Sequence, residues 1–241
     1  MRVVDLSKIF AISEVTVRSD LDQLASSSLV ERVHGGAMLW PGTTGTTEPS
    51  FEQSKITSAD EKAAIGAAAA ELVSPGESLV IDVGTTTTAV ARALAQRTDL
   101  EDVTIFTNGL TIAMELESAI PRLTVILTGG TLRPRQHSLV DPMAGMILDE
   151  TNVATAIIGC NGVHPDEGVT NINLPEAAVK RRMVKAAQRI VVVAGGPKLG
   201  KISVTRFAKM SDVDALVTGG SAPPELVAEF RGLGINTTVA G

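Results

Sequence analysis

Apolar and polar positions along this chain follow two rhythms, and the change falls near residue 40. Residues 4–25 read VDLSKIFAISEVTVRSDLDQLA. The spacing predicts a short helix over Asp5–Phe10, a break at Ala11-Ile12-Ser13, and a second helix from about Glu14. Ser13 is placed to cap that helix by accepting a hydrogen bond from an early backbone N–H. Val17, Leu21 and Leu24 share one face with Val15 near it, and are expected to pack inward. Thr16, Arg18, Ser19 and Gln23 point elsewhere. LVERVHGGA, residues 29–37, reads as a β-wing. This fits a helix-turn-helix whose second helix offers its N-terminal residues to the major groove, with Arg32 and His34 placed to touch phosphates. Taken alone, the two-helix spacing fits an ordinary helical hairpin at least as well.

WPGTTGTTEPS, residues 40–50, has no apolar periodicity and reads as a linker. From about Asp60 a regular alternation begins. EKAAIGAAAAELV is a helix stopped by Ser74-Pro75-Gly76. SLVIDV, VTIFT, LTVILTGG, ATAIIGC, IVVVAGG, VDALVTGG and INTTVAG read as strands. TTAVARALAQR, LTIAMELE, LPEAAVKRRMVKAAQR and PELVAEFRGLG read as helices between them. Strands separated by helices imply right-handed crossovers, hence an α/β fold with a mostly parallel sheet flanked by helices. The expected division is a small N-terminal unit over 1–39, a linker over 40–59 and the α/β domain over 60–241.

Composition agrees with this layering. Of 241 residues 44% are hydrophobic and only 2% aromatic, with no Tyr, so Ala, Val, Ile and Leu must make the core. The net charge of −6 argues against a chain that coats nucleic acid or acidic membrane non-specifically. Residues 1–37 hold four basic and five acidic side chains, a poor electrostatic footprint for DNA. A single cysteine, Cys160, excludes an internal disulfide framework and most thiolate metal sites. His34, His137 and His164 lack ligand spacing, so no metal and no cofactor is expected. No apolar run is long enough to span a bilayer and the N-terminus has no signal-peptide core, which makes the cytoplasm the default compartment and a membrane partner unexpected.

The chemistry concentrates at strand ends. In IDVGTTTTAV a strand enters a helix through Gly84 and a run of threonines. Free N–H groups and the positive end of the helix dipole suit an anion there, and Thr85, Thr86 and Thr87 add hydroxyls. The alternative is plain helix capping. Asp82 would repel a phosphate it faced, and is better placed to accept from ligand hydroxyls or to brace the loop. The pattern is neither a Walker A loop nor a dinucleotide fingerprint. Thr107 and Asn108, Gly129 and Gly130 with Thr131, Arg133 and Arg135, Asn161, Gly162, Gly168 and Thr170, and Lys198 and Lys201 follow other strands. Ligands of open parallel sheets bind beyond the carboxyl ends of the strands, so these turns point to one pocket. Glu176 and Lys180 lie four apart on one helix face, as an exposed ion pair or as a carboxylate and ammonium at the pocket.

Two stretches resemble one family. FAISEVTVRSDLDQLASSSLVERVHGGA looks like the DNA-binding signature of the DeoR family of bacterial transcriptional regulators. Asp82–Thr87, Thr107-Asn108, Gly129–Arg133, Gly168–Thr170 and Glu176, Lys180 and Met183 look like its effector domain. The resemblance implies a winged helix-turn-helix with Ser13, Thr16, Arg18, Arg32 and His34 at the DNA, and a ribose-5-phosphate isomerase-like domain that binds a phosphorylated sugar. Asp82, Gly84, Thr85, Thr86, Thr87, Thr107, Asn108, Gly129, Gly130, Arg133, Glu176, Lys180 and Lys198 would line its site. The chain departs from the family pattern at Ser19, where a second arginine is usual, and at Asp141, where glycine often stands. Ala194–Lys198 keeps the lysine of an Asp-Ser-Ser-Lys-like run without its acid, and the family's first helix is missing.

The expected function is a repressor of sugar-metabolism genes, a homodimer or homotetramer released from operator DNA by a phosphorylated sugar, and not an enzyme. The alternatives are a sugar-phosphate isomerase using Glu176 or Asp82 as base, and an effector domain that no longer binds DNA. The helix-turn-helix-like segment with its wing favours the sensor.

Overall fold

A computed structural model of the chain describes residues 3–26, 30–33, 35–39 and 48–241. They fall into two compact units, Met1–Pro49 and Ser50–Gly241.

In the first unit, helices α1 (Val3–Phe10) and α2 (Glu14–Ser26) precede an antiparallel hairpin of β1 (Val30–Val33) and β2 (Gly36–Leu39). Ser13 caps α2 as expected, accepting from Thr16 N at 3.1 Å. The small core is Val3, Val17, Leu21 and Ala37, with Leu6 against it. Val15 and Leu24 do not join it, being 78% and 40% exposed. Val15 lies two residues from Val17, about 200° round a helix of 3.6 residues per turn, so the two cannot share a face. Leu24 sits at the rim of the stripe.

The second unit is built on a seven-stranded parallel sheet of order β14-β13-β11-β8-β3-β4-β5. Its strands are β3 (Ser78–Ile81), β4 (Val103–Thr107), β5 (Leu123–Leu127), β8 (Val153–Gly159), β11 (Ala187–Ala194), β13 (Ala215–Gly219) and β14 (Asn236–Ala240). Period-two alternation sends successive side chains to opposite faces, giving two cores. Leu79, Ile81, Ile157, Val191 and Val193 pack under α4 (Ala59–Ala70), α5 (Thr85–Gln96) and α6 (Leu110–Leu116). Val80, Ala156, Ile158, Val192 and Leu216 pack under α7 (Met143–Asp149), α8 (Leu174–Ala186) and α9 (Pro224–Gly232). A small antiparallel sheet, β12 (Thr205–Ala208), β10 (Gly168–Asn171) and β9 (Gly162–His164), closes that second core.

α4 and α5 cross with their backbones nearly touching. A Cβ on Gly66 would lie 2.6 Å from the Ala89 carbonyl carbon, so only glycine permits the crossing.

Several elements depart from the expected pattern. The stretch read as linker contains α3 (Phe51–Ile56), held by a capping box in which Ser50 and Gln53 bond reciprocally. A hairpin of β6 (Thr131–Arg133) and β7 (Ser138–Val140) leads into α7, whose Ala144 and Leu148 are buried. The three-residue strands are too short to show a period, and MAGMILD of α7 has no polar residue before Asp149 to mark a face. α8 stops at Ala186 rather than running on to Arg189, because Arg189 belongs to β11 and bonds Leu72 O, Thr155 Oγ1 and Glu77 at the amino end of the sheet. Among the described residues no helix is long and apolar enough to cross a membrane.

Candidate functional site

The carboxyl ends of β3, β8 and β11 meet α5, α8 and α4, and the chemically distinctive side chains collect there. β3 delivers Asp82, which is fully buried. Its Oδ2 accepts from the Lys180 ammonium and from Gly159 N at 3.2 Å, while its Oδ1, equally buried, has no partner. Lys180, also buried, gives a second hydrogen bond to Gly159 O at 3.0 Å. Burial drives the Asp82 pKa up, Lys180 pulls it back, and the balance stands at about 6. The desolvation of the carboxylate therefore outweighs its pairing, the usual position of a buried ion pair.

After Asp82 the chain turns at Gly84, whose φ of 146° is open only to glycine, and enters α5. No side chain caps this helix. Thr87 and Thr88 turn their hydroxyls back onto Gly84 O at 3.0 and 2.7 Å, and Thr88 N takes the same carbonyl. The capping reading does not hold: these two hydroxyls are spent on the Gly84 carbonyl and leave the amides of the first turn uncapped. Thr85 and Thr86 are different: among the described residues nothing bonds their hydroxyls, and the first N–H groups of an α-helix have no partner within it.

Thr107 and Asn108 are engaged with the backbone. Thr107 Oγ1 accepts from Gly109 N at 3.1 Å. Asn108 accepts from Val83 N at 3.0 Å and donates to Leu139 O at 3.1 Å, so it braces the threonine turn from behind. Gly129 and Gly130 form the entry to β6, and Gly130 must be glycine because a Cβ there would lie 2.2 Å from Val140 O.

Glu176 and Lys180 are both buried, and neither pairs with the other. Glu176, whose backbone N–H is capped by Asn173, accepts from Arg133 and from Ser138 Oγ at 2.6 Å. Residues four apart on α8 thus carry two separate ion pairs, Arg133–Glu176 and Asp82–Lys180. Lys198 donates to Cys160 O at 2.6 Å, and burial, with Lys180 nearby, lowers its pKa although Cys160 and Asp82 oppose this.

Two groups were invisible to pattern reading. Glu61 on α4 accepts from Gly196 N at 3.2 Å and Ser221 Oγ at 2.5 Å, supplying to the loop after β11 the carboxylate that Ala194–Lys198 lacks. Lys62 sits beside it, close enough to Lys198 to be repelled. Both lie in an alanine-rich helical stretch that gives no sign of facing the strand ends. Asp141, at the position of the family's glycine, bonds Arg182 at 2.5 Å on the surface. His137 is a half-buried residue against Phe51 and Glu52. Among the described residues no group of three His, Cys, Asp or Glu could hold a metal.

In the first unit Thr16 and Arg18 are exposed on α2, and Arg18 meets Glu14 at 3.4 Å. Arg32 lies in β1. His34 falls outside the described residues.

Residues 57–220 match the DeoR C terminal sensor domain and residues 1–40 the DeoR-like helix-turn-helix domain. The chain is 35% identical over 99% of its length to the HTH-type transcriptional regulator GlpR of Haloferax volcanii, covering 91% of that protein. It is 31% identical to the glycerol-3-phosphate regulon repressor of Escherichia coli K12, over 91% of this chain and 84% of the other. It is 30% identical to a putative aga operon transcriptional repressor of E. coli O157:H7, over the whole chain and 88% of that protein. With both matches lying on the two units just described, this chain belongs to the DeoR family of transcriptional regulators.

Proposed function

We propose that this regulator is a repressor whose sensor domain binds a phosphorylated sugar or polyol at the threonine turn and then releases operator DNA. The observation that carries the reading is the set of polar groups that have no partner among the described residues, gathered at one place. Thr85 and Thr86 offer two hydroxyls and the free amides of α5, and Asp82 Oδ1 is a buried acceptor awaiting a donor. The first suits a phosphate and the second a ligand hydroxyl, with Lys198 and Lys62 balancing the anion's charge. A relative named for a glycerol-3-phosphate regulon agrees with a ligand carrying both groups. In the DNA-binding unit, Thr16 and Arg18 supply the polar contacts, and exposed Val15 beside them suits a thymine methyl. Two such units at half-site spacing require a homo-oligomer.

One observation favours a second reading, that of an isomerase. Asp82, with its pKa near 6 beside an ammonium, resembles a general base. Against it, Oδ2 is committed to Lys180 and Gly159, and the relatives are named as regulators.

A thermal-shift screen of phosphorylated sugars and polyols tests both readings, because a ligand specific to the folded state raises Tm with concentration. The expected hit shifts Tm without being converted to its aldose or ketose isomer. Thr86→Val should weaken that ligand by roughly 10- to 100-fold through one lost hydrogen bond to a charged group, with little change in Tm of the free protein. Equal affinity by calorimetry would remove the threonine turn from the site.

A further inference from the structure

We infer that α3 is a latch worked by the anion site: an anion at the 84–87 turn draws the Lys62 ammonium off the Ser54 and Thr57 carbonyls and frees the last turn of α3. The inference rests on the proposed anion seat and adds how its occupancy reaches the chain that follows residue 49, where the first unit ends.

α3 is tied at its start to the β6–β7 turn, whose strands hold Glu176, and at its end to Lys62, which neighbours Lys198. At its start, Phe51 N donates to Arg135 O at 2.9 Å, the Phe51 ring lies 5.0 Å from that of His137, and Glu52 meets His137 Nε2 at 3.1 Å. Arg135 and His137 form the turn between β6 and β7, and Arg133 and Ser138 at the ends of those strands both hold Glu176. At its end, Lys62 donates to Ser54 O and to Thr57 O at 2.6 Å. The chain breaks away at Ser58, with φ 50°, so no following helical turn can take those carbonyls. α3 also packs against α5, the helix whose first turn is the anion seat.

Lys62 is the joint between the two. Burial and the neighbouring Lys198 hold its pKa at about 8, so its charge is poorly compensated by two neutral carbonyls. An anion between Lys62 and Lys198 cancels their repulsion and offers a charge-assisted hydrogen bond, roughly twice as strong as a neutral one. The ligand favours the released state because only there does Lys62 bind it, the differential affinity that any population shift requires.

Hydrogen exchange on the full chain, with and without inorganic phosphate, tests the latch. Phosphate should protect the amides of 85–88 and speed exchange over 51–57 on the order of tenfold. Lys62→Met should exchange fast over 51–57 without phosphate and show no further response, and Lys62→Arg, which keeps the donors, should restore slow exchange. Slow exchange of the sheet amides reports that each variant is folded, and the parent protein decides the matter if one is not. Protection at 85–88 with unchanged exchange over 51–57 overturns the latch and leaves the seat standing. No protection at 85–88 overturns the seat, and the trigger of the latch with it.

Discussion

Lys180→Met is the most demanding test of the energetics at the strand ends. Lys180 and Asp82 have side chains 4% and 0% exposed, so solvent screens their interaction very little. Even with its partner, Asp82 titrates near 6 in the folded chain, against about 3.9 for a free carboxyl. A shift of that size costs on the order of 3 kcal/mol whenever the group is ionised. The sign is that of a raised acid: the folded chain holds this proton more tightly, so the contribution of Asp82 to stability is fully present below pH 4 and is lost as pH rises through 6. Removing Lys180 takes away the attraction and leaves an uncompensated buried charge, for which about 3–5 kcal/mol is the expected loss at pH 7.5. For a unit of this size that lowers Tm by roughly 6–20 °C. The deficit should shrink towards pH 5, where Asp82 takes a proton and no longer needs the ammonium. Asp82→Asn combined with Lys180→Met should recover most of the loss at pH 7.5. Urea unfolding followed by circular dichroism at three pH values reads all of this. A loss below about 1 kcal/mol, or one independent of pH, would refute the claim that the pair is a desolvated charge couple.

Gly130→Ala should cost about 2–4 kcal/mol, because the new methyl meets the Val140 carbonyl and the φ of 123° is strained for alanine; an unchanged urea midpoint would show that the β6–β7 hairpin can shift freely. Arg18→Ala should weaken operator binding by roughly 10-fold or more in a gel shift while leaving Tm nearly unchanged, since its exposed pair with Glu14 adds little stability; equal affinity would exclude Arg18 as a DNA contact.

The parallel sheet was legible because its strands are apolar runs separated by helical periods, signals that survive in a single sequence. The strand-end position of Asp82, Gly84 and the threonines followed from the same alternation. What could not be read was which partner each polar group takes. Glu176 and Lys180 share a face, and that suggested a mutual pair. Partners 98 and 43 residues away, Asp82 and Arg133, claim them instead, and no local pattern reports contacts at such separation. Asn108 looked like a ligand group, yet both ends of its amide serve the backbone. α3, β6, β7 and α7 escaped because FEQSKI, TLR and SLV hold too few apolar positions to mark a face and MAGMILD has no polar residue before Asp149, whereas the elements of similar length that were read are apolar runs or carry a polar side.

The crossing at Gly66 and Ala89 sets a ruler across the sensor. Two helices in backbone contact cannot approach further, and parting them would open a void that packed interiors resist. The backbones of Lys62, one turn before Gly66, and of Thr85, one turn before Ala89, therefore keep their spacing. Any movement at the strand ends is left to side chains and loops, while the two helix axes hold their distance.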